Sequence, residues 1–160
     1  MLKLRLVAMG KLTEPFFRDA AASYLKRMSR FWSVTVAEPK VETLPSEPSA
    51  GEIARALERE AGRIREEIPP RAAVVALCVE GKPMSSEALA AFLDEKASAG
   101  VSEICFVIGS SYGLDPSVKQ AADMRLSVSP MTFPHELFRV MLLEQLYRAG
   151  EILAGGRYHK

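Results

Sequence analysis

Cysteine is scarce in this chain, and its placement excludes two classes of protein. The 160 residues include two cysteines, Cys78 and Cys105, and each lies inside an apolar run typical of a β-strand. They show no C-x-x-C spacing, so the sequence offers neither a disulfide framework nor a cysteine zinc site. Reduced thiols in the core are typical of a cytosolic protein.

Long apolar segments and an excess charge of either sign are also missing. The longest strand-like apolar run, 72–79, has eight residues, far below the ~20 that a membrane helix requires. The N-terminal stretch is interrupted by Lys3 and Arg5 and lacks the apolar region of a signal peptide. We therefore expect a soluble, cytoplasmic protein with no membrane partner. The formal net charge of +1 means that any nucleic-acid binding must come from local patches.

The common nucleotide-binding and catalytic motifs are absent as well. The sequence has no G-x-G-x-x-G fingerprint, no phosphate-binding P-loop and no G-x-S-x-G nucleophile elbow. Its two histidines, His135 and His159, lie far apart and form no metal-ligand spacing. We therefore expect no metal site.

Strand and helix patterns alternate along the chain. Strand patterns occupy 2–9, 33–37, 72–79, 104–108 and 124–128. Helix patterns lie between most of them, and one begins with a capping box formed by Ser49 and Glu52. Residues 38–49 contain three prolines and are predicted to be a loop. The alternation predicts one α/β domain, residues 1–160, with a mainly parallel sheet.

The segment 126–149 organises the rest of the chain. It joins a short apolar run, a loop with two prolines, and a helix pattern that is apolar around most of its circumference. A sheet can cover only one face of such a helix. The remaining apolar surface must meet another helix or a second copy of the chain, so we interpret this segment as a ligand loop joined to a dimer helix.

Three loops that follow strands are candidates for a binding site, because ligands of parallel sheets bind beyond the carboxyl ends of the strands. These loops are 77–81, 109–113 and 129–134. Gly109 and Gly113 would let the backbone approach a ligand, but they would also serve simply to turn the chain. The prolines of the third loop suit either a preformed pocket or an ordinary rigid turn.

Four side chains near the C-terminus are candidates to act on a substrate, and each has an ordinary alternative. His135 begins the last helix, where a lone histidine is more often a capping or first-turn residue. Arg139 interrupts the apolar surface of that helix, where an arginine is usually solvated. Tyr158 can stack on a base and His159 can exchange a proton, and the cationic residues Arg157 and Lys160 flank them, which suits a nucleotide. The ordinary alternative is that such a tail is disordered.

Several blocks of sequence together resemble one known family. These blocks are FVIGSSYGL, LSVSPMTFPHELFRVMLLEQLYRA and the terminal RYHK, supported by LKLRLVAMGKL near the N-terminus and VEGKPMSSEALA in the centre. They resemble the RlmH family, the large-subunit rRNA pseudouridine N3-methyltransferases of the SPOUT superfamily. The resemblance covers the whole chain.

The resemblance implies a SPOUT-type sheet flanked by helices, a deep trefoil knot in the C-terminal part, and a homodimer. It also implies S-adenosylmethionine as the cofactor, bound in the knot loops. Mapped onto this chain, the cofactor-binding residues are Leu77, Gly109, Ser129, Pro130, Met131, Thr132, Phe133 and Pro134. Two positions depart from the family, which commonly has a second glycine where Ser110 stands and an acidic residue where Cys78 stands. Ser110 would restrict the loop if its φ were positive.

The substrate implied by the resemblance is a pseudouridine of 23S rRNA in the assembled ribosome. The candidate proton acceptors are His135 and His159, with Glu136 behind them, and solvent hydroxide is the remaining alternative. Arg139, Arg157 and Tyr158 are expected to position the substrate. A basic first helix and the tail are the expected RNA surface. The alternative is a non-enzymatic dimeric RNA-binding or ribosome-binding protein with a vestigial pocket.

Overall fold

A computed structural model describes all residues 1–160. The strands are β1 Lys3–Ala8, β2 Ser33–Ala37, β3 Ala73–Pro83, β4 Glu103–Ile108 and β5 Met124–Ser127. The helices are α1 Pro15–Met28, α2 Ala50–Glu67, α3 Ser86–Ser98, α4 Pro116–Ala121 and α5 His135–Leu153. Each predicted strand and helix is present, and the capping box at the start of α2 is confirmed.

The strands form one parallel sheet in the order β2-β1-β4-β3-β5. The prediction of an α/β domain with a mainly parallel sheet is therefore confirmed. Since all strands point the same way, the loops that follow β4 and β5 emerge at one edge of the sheet. The segment 77–81, expected to be a loop after a strand, is instead part of β3.

Strand β3 is longer than predicted and contains a bulge. Leu77 and Lys82 both pair with Leu126 of β5, so residues 78–81 leave the ladder between them. A Cβ on Gly81 would lie 2.7 Å from the backbone carbon of Leu126, so only glycine allows this approach. The sequence pattern ended the strand at residue 79 because the following residues are polar, and backbone pairing across a bulge leaves no hydrophobic signal.

Helices cover both faces of the sheet. One face packs against α1, α3 and α5 around Leu6, Phe106 and Leu142. The other face packs against α2 and α4 around Ile64 and Val107. This burial on both faces explains why the central strands are apolar at successive positions.

Helix α5 lies against both α1 and α3. Its buried residues include Leu142, Leu143 and Leu146, and the indole N–H of Trp32 donates to the Leu146 carbonyl at 3.0 Å. Neighbouring helices thus cover apolar surface that the sheet cannot reach, as the wide apolar pattern requires. Met141 stays half-buried beside a groove that faces α3.

No helix has the length and apolar character needed to span a bilayer. His, Cys, Asp and Glu side chains form no group of three or more suited to a metal ion. Both cysteines are free thiols, and burial raises the pKa of Cys105 to about 12.

Candidate active site

The bulge of β3 and the loops 109–113 and 129–134 enclose a cleft of about 240 Å³, called here the strand-end cleft. Its lining contains most of the cofactor-binding residues expected from the sequence, together with one expected catalytic residue: Leu77, Gly109, Ser129, Met131, Thr132, Phe133 and His135. Pro130 and Pro134 belong to the same loop, but their exposed side chains do not line the cleft.

The loop 109–113 folds tightly back on itself. A Cβ on Gly109 would lie 2.3 Å from the carbonyl oxygen of Gly113, and Gly113 itself has a φ of +87°. The Gly113 N–H donates to the Ser110 carbonyl at 2.9 Å. The glycines therefore turn the chain and, through the same turn, form one wall of the cleft.

Ser110 anchors this loop to helix α2. Its hydroxyl donates to the Glu60 carboxylate at 2.7 Å, and that carboxylate also accepts from the Glu42 N–H at 2.9 Å. Ser110 is not among the residues with positive φ, so a serine creates no backbone strain here. The Ser110 side chain thus adds a hydrogen bond that holds the loop.

The sequence reasoning did not identify Glu60, which is only 3% exposed. The sequence does contain a sign that Glu60 is buried, because Glu60 falls on the apolar face of α2 between Leu57 and Ile64. An acid in the apolar stripe of a helix needs hydrogen-bond donors when it is buried. Ser110 and the Glu42 backbone provide them.

The cleft contains no free anionic side chain. Its only carboxylate, Glu80, pairs with Lys119 of α4 at 2.6 Å, and the hydrogen bond from Lys119 lowers the pKa of Glu80. Cys78 stands nearby, and burial raises the pKa of its thiol, with a smaller contribution from Glu80. Cys78 is therefore a neutral group at neutral pH and supplies no carboxylate to the cleft.

The third loop is held by its own hydrogen bonds. The Ser129 hydroxyl accepts from the Met131 N–H at 3.0 Å, and the Ser127 hydroxyl donates to the Ser129 carbonyl at 3.1 Å. Met131 is 72% exposed at the cleft. The loop is thus shaped before any ligand binds, while one large apolar side chain remains available for contact.

Arg139 is placed differently from both interpretations of the sequence. It is only 3% exposed, so the solvated alternative is wrong, and it does not line the strand-end cleft. Its guanidinium donates to the Glu38 carboxylate at 2.5 Å and to the Gly10 carbonyl at 2.6 Å. Arg139 thereby joins α5 to the segments that follow β1 and β2.

Replacing Arg139 by methionine is expected to lower the free energy of unfolding by about 2–3 kcal/mol, because Glu38 and the Gly10 carbonyl lose their donor. Urea denaturation followed by circular dichroism measures this loss. Arg55→Met, which removes an exposed arginine of α2, is the control and should cost at most about 0.5 kcal/mol. An Arg139→Met loss no larger than the control would contradict the structural role.

The C-terminal tail folds back onto α5. The Tyr158 hydroxyl donates to Glu144 at 2.9 Å, and the centroids of the Tyr158 and Tyr147 rings are 4.8 Å apart. The Arg148 guanidinium lies 4.6 Å from the Tyr158 ring centroid. The default expectation of a disordered tail is therefore wrong for this residue.

His159 belongs to the same arrangement, which we call the tail cluster (Glu87, Glu144, Arg148, Tyr158 and His159). Its Nε2 lies 2.8 Å from the Glu87 carboxylate, and its Nδ1 lies 3.3 Å from an Arg148 nitrogen. Neither Tyr158 nor His159 lines the strand-end cleft of its own chain. Of the four expected catalytic residues, only His135 does so.

Tyr158 is suited to donating a hydrogen bond but not to accepting a proton. Burial, followed by the hydrogen bond to Glu144, raises the pKa of Tyr158 to about 12. Its phenol therefore stays protonated throughout the neutral range.

A sequence model of the family described as predicted SPOUT methyltransferase matches residues 2–159. A Bifidobacterium adolescentis protein named ribosomal RNA large subunit methyltransferase H is 44% identical over 159 residues, covering 99% of this chain and 100% of that protein. A Carboxydothermus hydrogenoformans protein of the same name is 41% identical over the same shares of the two chains.

Solved structures with little sequence identity share the fold. A probable methylase family protein from Haemophilus influenzae superposes with a TM-score of 0.57 at 16% identity, over 100% of this chain and 72% of that one. A probable methyltransferase from Bordetella pertussis gives a TM-score of 0.57 at 14% identity, over 92% of this chain and 96% of that one. At these identities, the comparison concerns the fold alone.

Proposed function

This chain belongs to the SPOUT methyltransferase family, and on that premise we propose that it methylates N3 of a pseudouridine in 23S rRNA, with S-adenosylmethionine as the methyl donor. The observation that carries the proposal is the convergence of Leu77, Gly109 and the loop 129–133 in one cleft. The ribosomal substrate follows from the names of its full-length relatives. The assembled large subunit is the proposed form of that substrate.

The residues of the strand-end cleft fit this cofactor. When bound, S-adenosylmethionine supplies an electrophilic methyl group on a positively charged sulfur. A free carboxylate beside that charge would stabilise the ground state more than the transition state, in which the charge disappears. The cleft instead offers apolar walls at Leu77 and Phe133 and a carboxylate that Lys119 already neutralises. Backbone groups of the loops 109–113 and 129–134 would hold the cofactor.

Alignment and proton removal are the tasks left to the protein. The N3–H of pseudouridine must lose its proton before or during attack, so a proton acceptor has to stand beside the base. His135 lines the cleft and is the acceptor that the same chain offers. His159 of the tail cluster is the second candidate, and Tyr158 positions the base through stacking or its hydroxyl. Correct alignment of N3 with the methyl group would supply most of the acceleration.

The proposal includes a homodimer and the C-terminal trefoil knot of the family. A groove of about 580 Å³ lies beside α5 and is lined largely by apolar side chains, including Met84, Leu89 and Met141. A second copy seated there would cover the apolar surface that α1, α3 and the sheet leave open. Glu144 belongs both to this groove and to the tail cluster. The partner would therefore contact the tail, and in this proposal Tyr158 and His159 complete the partner's cleft.

Calorimetric titration with S-adenosylmethionine distinguishes the enzyme from a ribosome-binding protein with a vestigial pocket. The enzyme is expected to take up one molecule per chain, with a negative heat-capacity change from apolar burial. If S-adenosylmethionine bound neither to the protein alone nor to the protein on the ribosome, the proposed cofactor site would be rejected.

A further inference from the structure

A second groove adjoins the strand-end cleft. It has a volume of about 610 Å³ and is lined by Gly10, Lys11, Thr13, Glu38, Lys40, Val41, His135 and Glu136. We call it the lysine groove. His135 lines both the groove and the cleft, so the two spaces meet at one side chain.

The walls of the lysine groove are held at a fixed spacing. The Gly10 N–H donates to the Pro39 carbonyl at 2.8 Å, and buried Arg139 binds both the Gly10 carbonyl and the Glu38 carboxylate. A Cβ on Gly10, whose φ is +78°, would lie 2.9 Å from a methyl carbon of Val41. The groove is thus formed by close packing of the segments 10–13 and 38–41 and not by a chance gap between loops.

The hydrogen-bond donors left free in the groove are cationic. Glu38 already accepts from Arg139, and Glu136 accepts from the Thr13 N–H at 2.6 Å and the Thr13 hydroxyl at 3.1 Å. Lys11 and Lys40 are exposed. Neither lysine takes part in any ion pair of the chain. Two unpaired ammonium groups therefore stand beside carboxylates that already have donors.

We propose that the lysine groove binds phosphates of the RNA backbone next to the target nucleotide, through Lys11 and Lys40. A base can reach the strand-end cleft only if it leaves its stack, and the adjoining backbone must then run along the surface beside the cleft. Ammonium groups bind phosphates as point charges and set the register of the nucleic acid without reading its sequence. This inference rests on the proposed function, because it assumes that the cleft methylates RNA.

The groove is better placed for this role than the basic face of α1. Arg18 is occupied by the Leu12 and Thr13 carbonyls, and Arg30, just after the end of α1, is paired with Glu151. No residue of α1 lines the strand-end cleft. The expectation that α1 contacts RNA stays a prediction for more distant parts of the ribosome, whereas the lysine groove contacts the nucleotides beside the reacting base.

The salt dependence of methylation tests the groove. We expect Lys11→Gln, Lys40→Gln and the double variant to reduce kcat/KM for ribosomes, by about tenfold in the double variant at 0.1 M salt. The slope of log kcat/KM against log salt concentration should become shallower by about 1 for each lysine removed. S-Adenosylmethionine affinity, measured by calorimetry, should not change. Lys3→Gln, at the opposite end of β1, is the matched control and should behave as wild type.

An unchanged salt slope in the double variant would overturn the inference, and so would a double variant that binds S-adenosylmethionine more weakly. Failure of the proposed function gives a different result, because wild-type protein would then transfer no methyl group. In that event, cosedimentation of the same variants with ribosomes across the salt series tests the groove directly. Loss of salt-dependent binding in the double variant supports the phosphate contacts, and wild-type binding refutes them.

Discussion

Gly109→Ala is expected to weaken S-adenosylmethionine binding by at least about tenfold, which corresponds to ~1.4 kcal/mol. The added methyl group would lie 2.3 Å from the Gly113 carbonyl oxygen and 3.1 Å from a Leu114 methyl carbon. The loop must therefore move, and it forms a wall of the strand-end cleft. Calorimetric titration of the purified variant measures the loss.

Gly62→Ala provides the matched control for this substitution. Gly62 lies in the interior of α2, and a Cβ there would meet no atom within 4 Å. Alanine is favoured over glycine inside a helix by about 1 kcal/mol, so this variant should fold at least as well as wild type and keep its affinity. If Gly109→Ala bound the cofactor as tightly as Gly62→Ala does, the loop 109–113 would not form the cofactor site.

His159→Ala and Tyr158→Ala are expected to reduce turnover about 100-fold while changing S-adenosylmethionine affinity by less than about twofold. A positioned proton acceptor contributes a factor of this size at His159, and loss of the Tyr158 side chain would misalign the base by a comparable factor. Both side chains are proposed to act on the nucleotide base rather than on the methyl donor, so cofactor affinity should change little. Single-turnover methylation of ribosomes, run beside a cofactor titration, separates the two quantities. Equal losses of turnover and affinity, or no loss of either, would contradict the assignment.

One further variant and one mixing experiment test the role of the tail. Tyr158→Phe keeps the ring beside Tyr147 but removes the hydrogen bond to Glu144. Because the pKa of Tyr158 is about 12, this change should lower the rate without moving the pH profile below pH ~9.

Mixing Gly109→Ala chains with His159→Ala chains then shows which cleft of the proposed dimer the tail serves. A mixed dimer regains activity if the tail serves the partner's cleft, and remains inactive if each tail serves its own.

The fold was largely predictable because each layer leaves a local signal. The burial of β3 and β4 on both sides produces unbroken apolar runs, and the start of α2 has a capping box at Ser49 and Glu52. The extension of β3 to Pro83 was missed because it depends on backbone pairing with β5 and on the missing side chain of Gly81. Such contacts join residues far apart in sequence, where periodicity carries no information.

In the site, too, features with a local sequence signal were predictable and features that depend on distant contacts were not. The loops 109–113 and 129–134 were predictable because each follows a parallel strand and contains glycine or proline. The burial of Arg139 was not predictable, because its partners, Glu38 and Gly10, come from distant segments. The tail was misjudged for the same reason, since its order depends on Glu144 and Glu87 rather than on neighbours in the chain.

The most direct test of the central claim is transfer of labelled methyl groups from S-adenosylmethionine to ribosomes that lack the modification, followed by mapping of the label. One methyl group per large subunit is expected, on N3 of a pseudouridine in 23S rRNA, and at subsaturating S-adenosylmethionine Gly109→Ala should slow its transfer by at least about tenfold. Absence of label from the ribosome, or label on a different type of nucleotide, would contradict the assignment of this cleft.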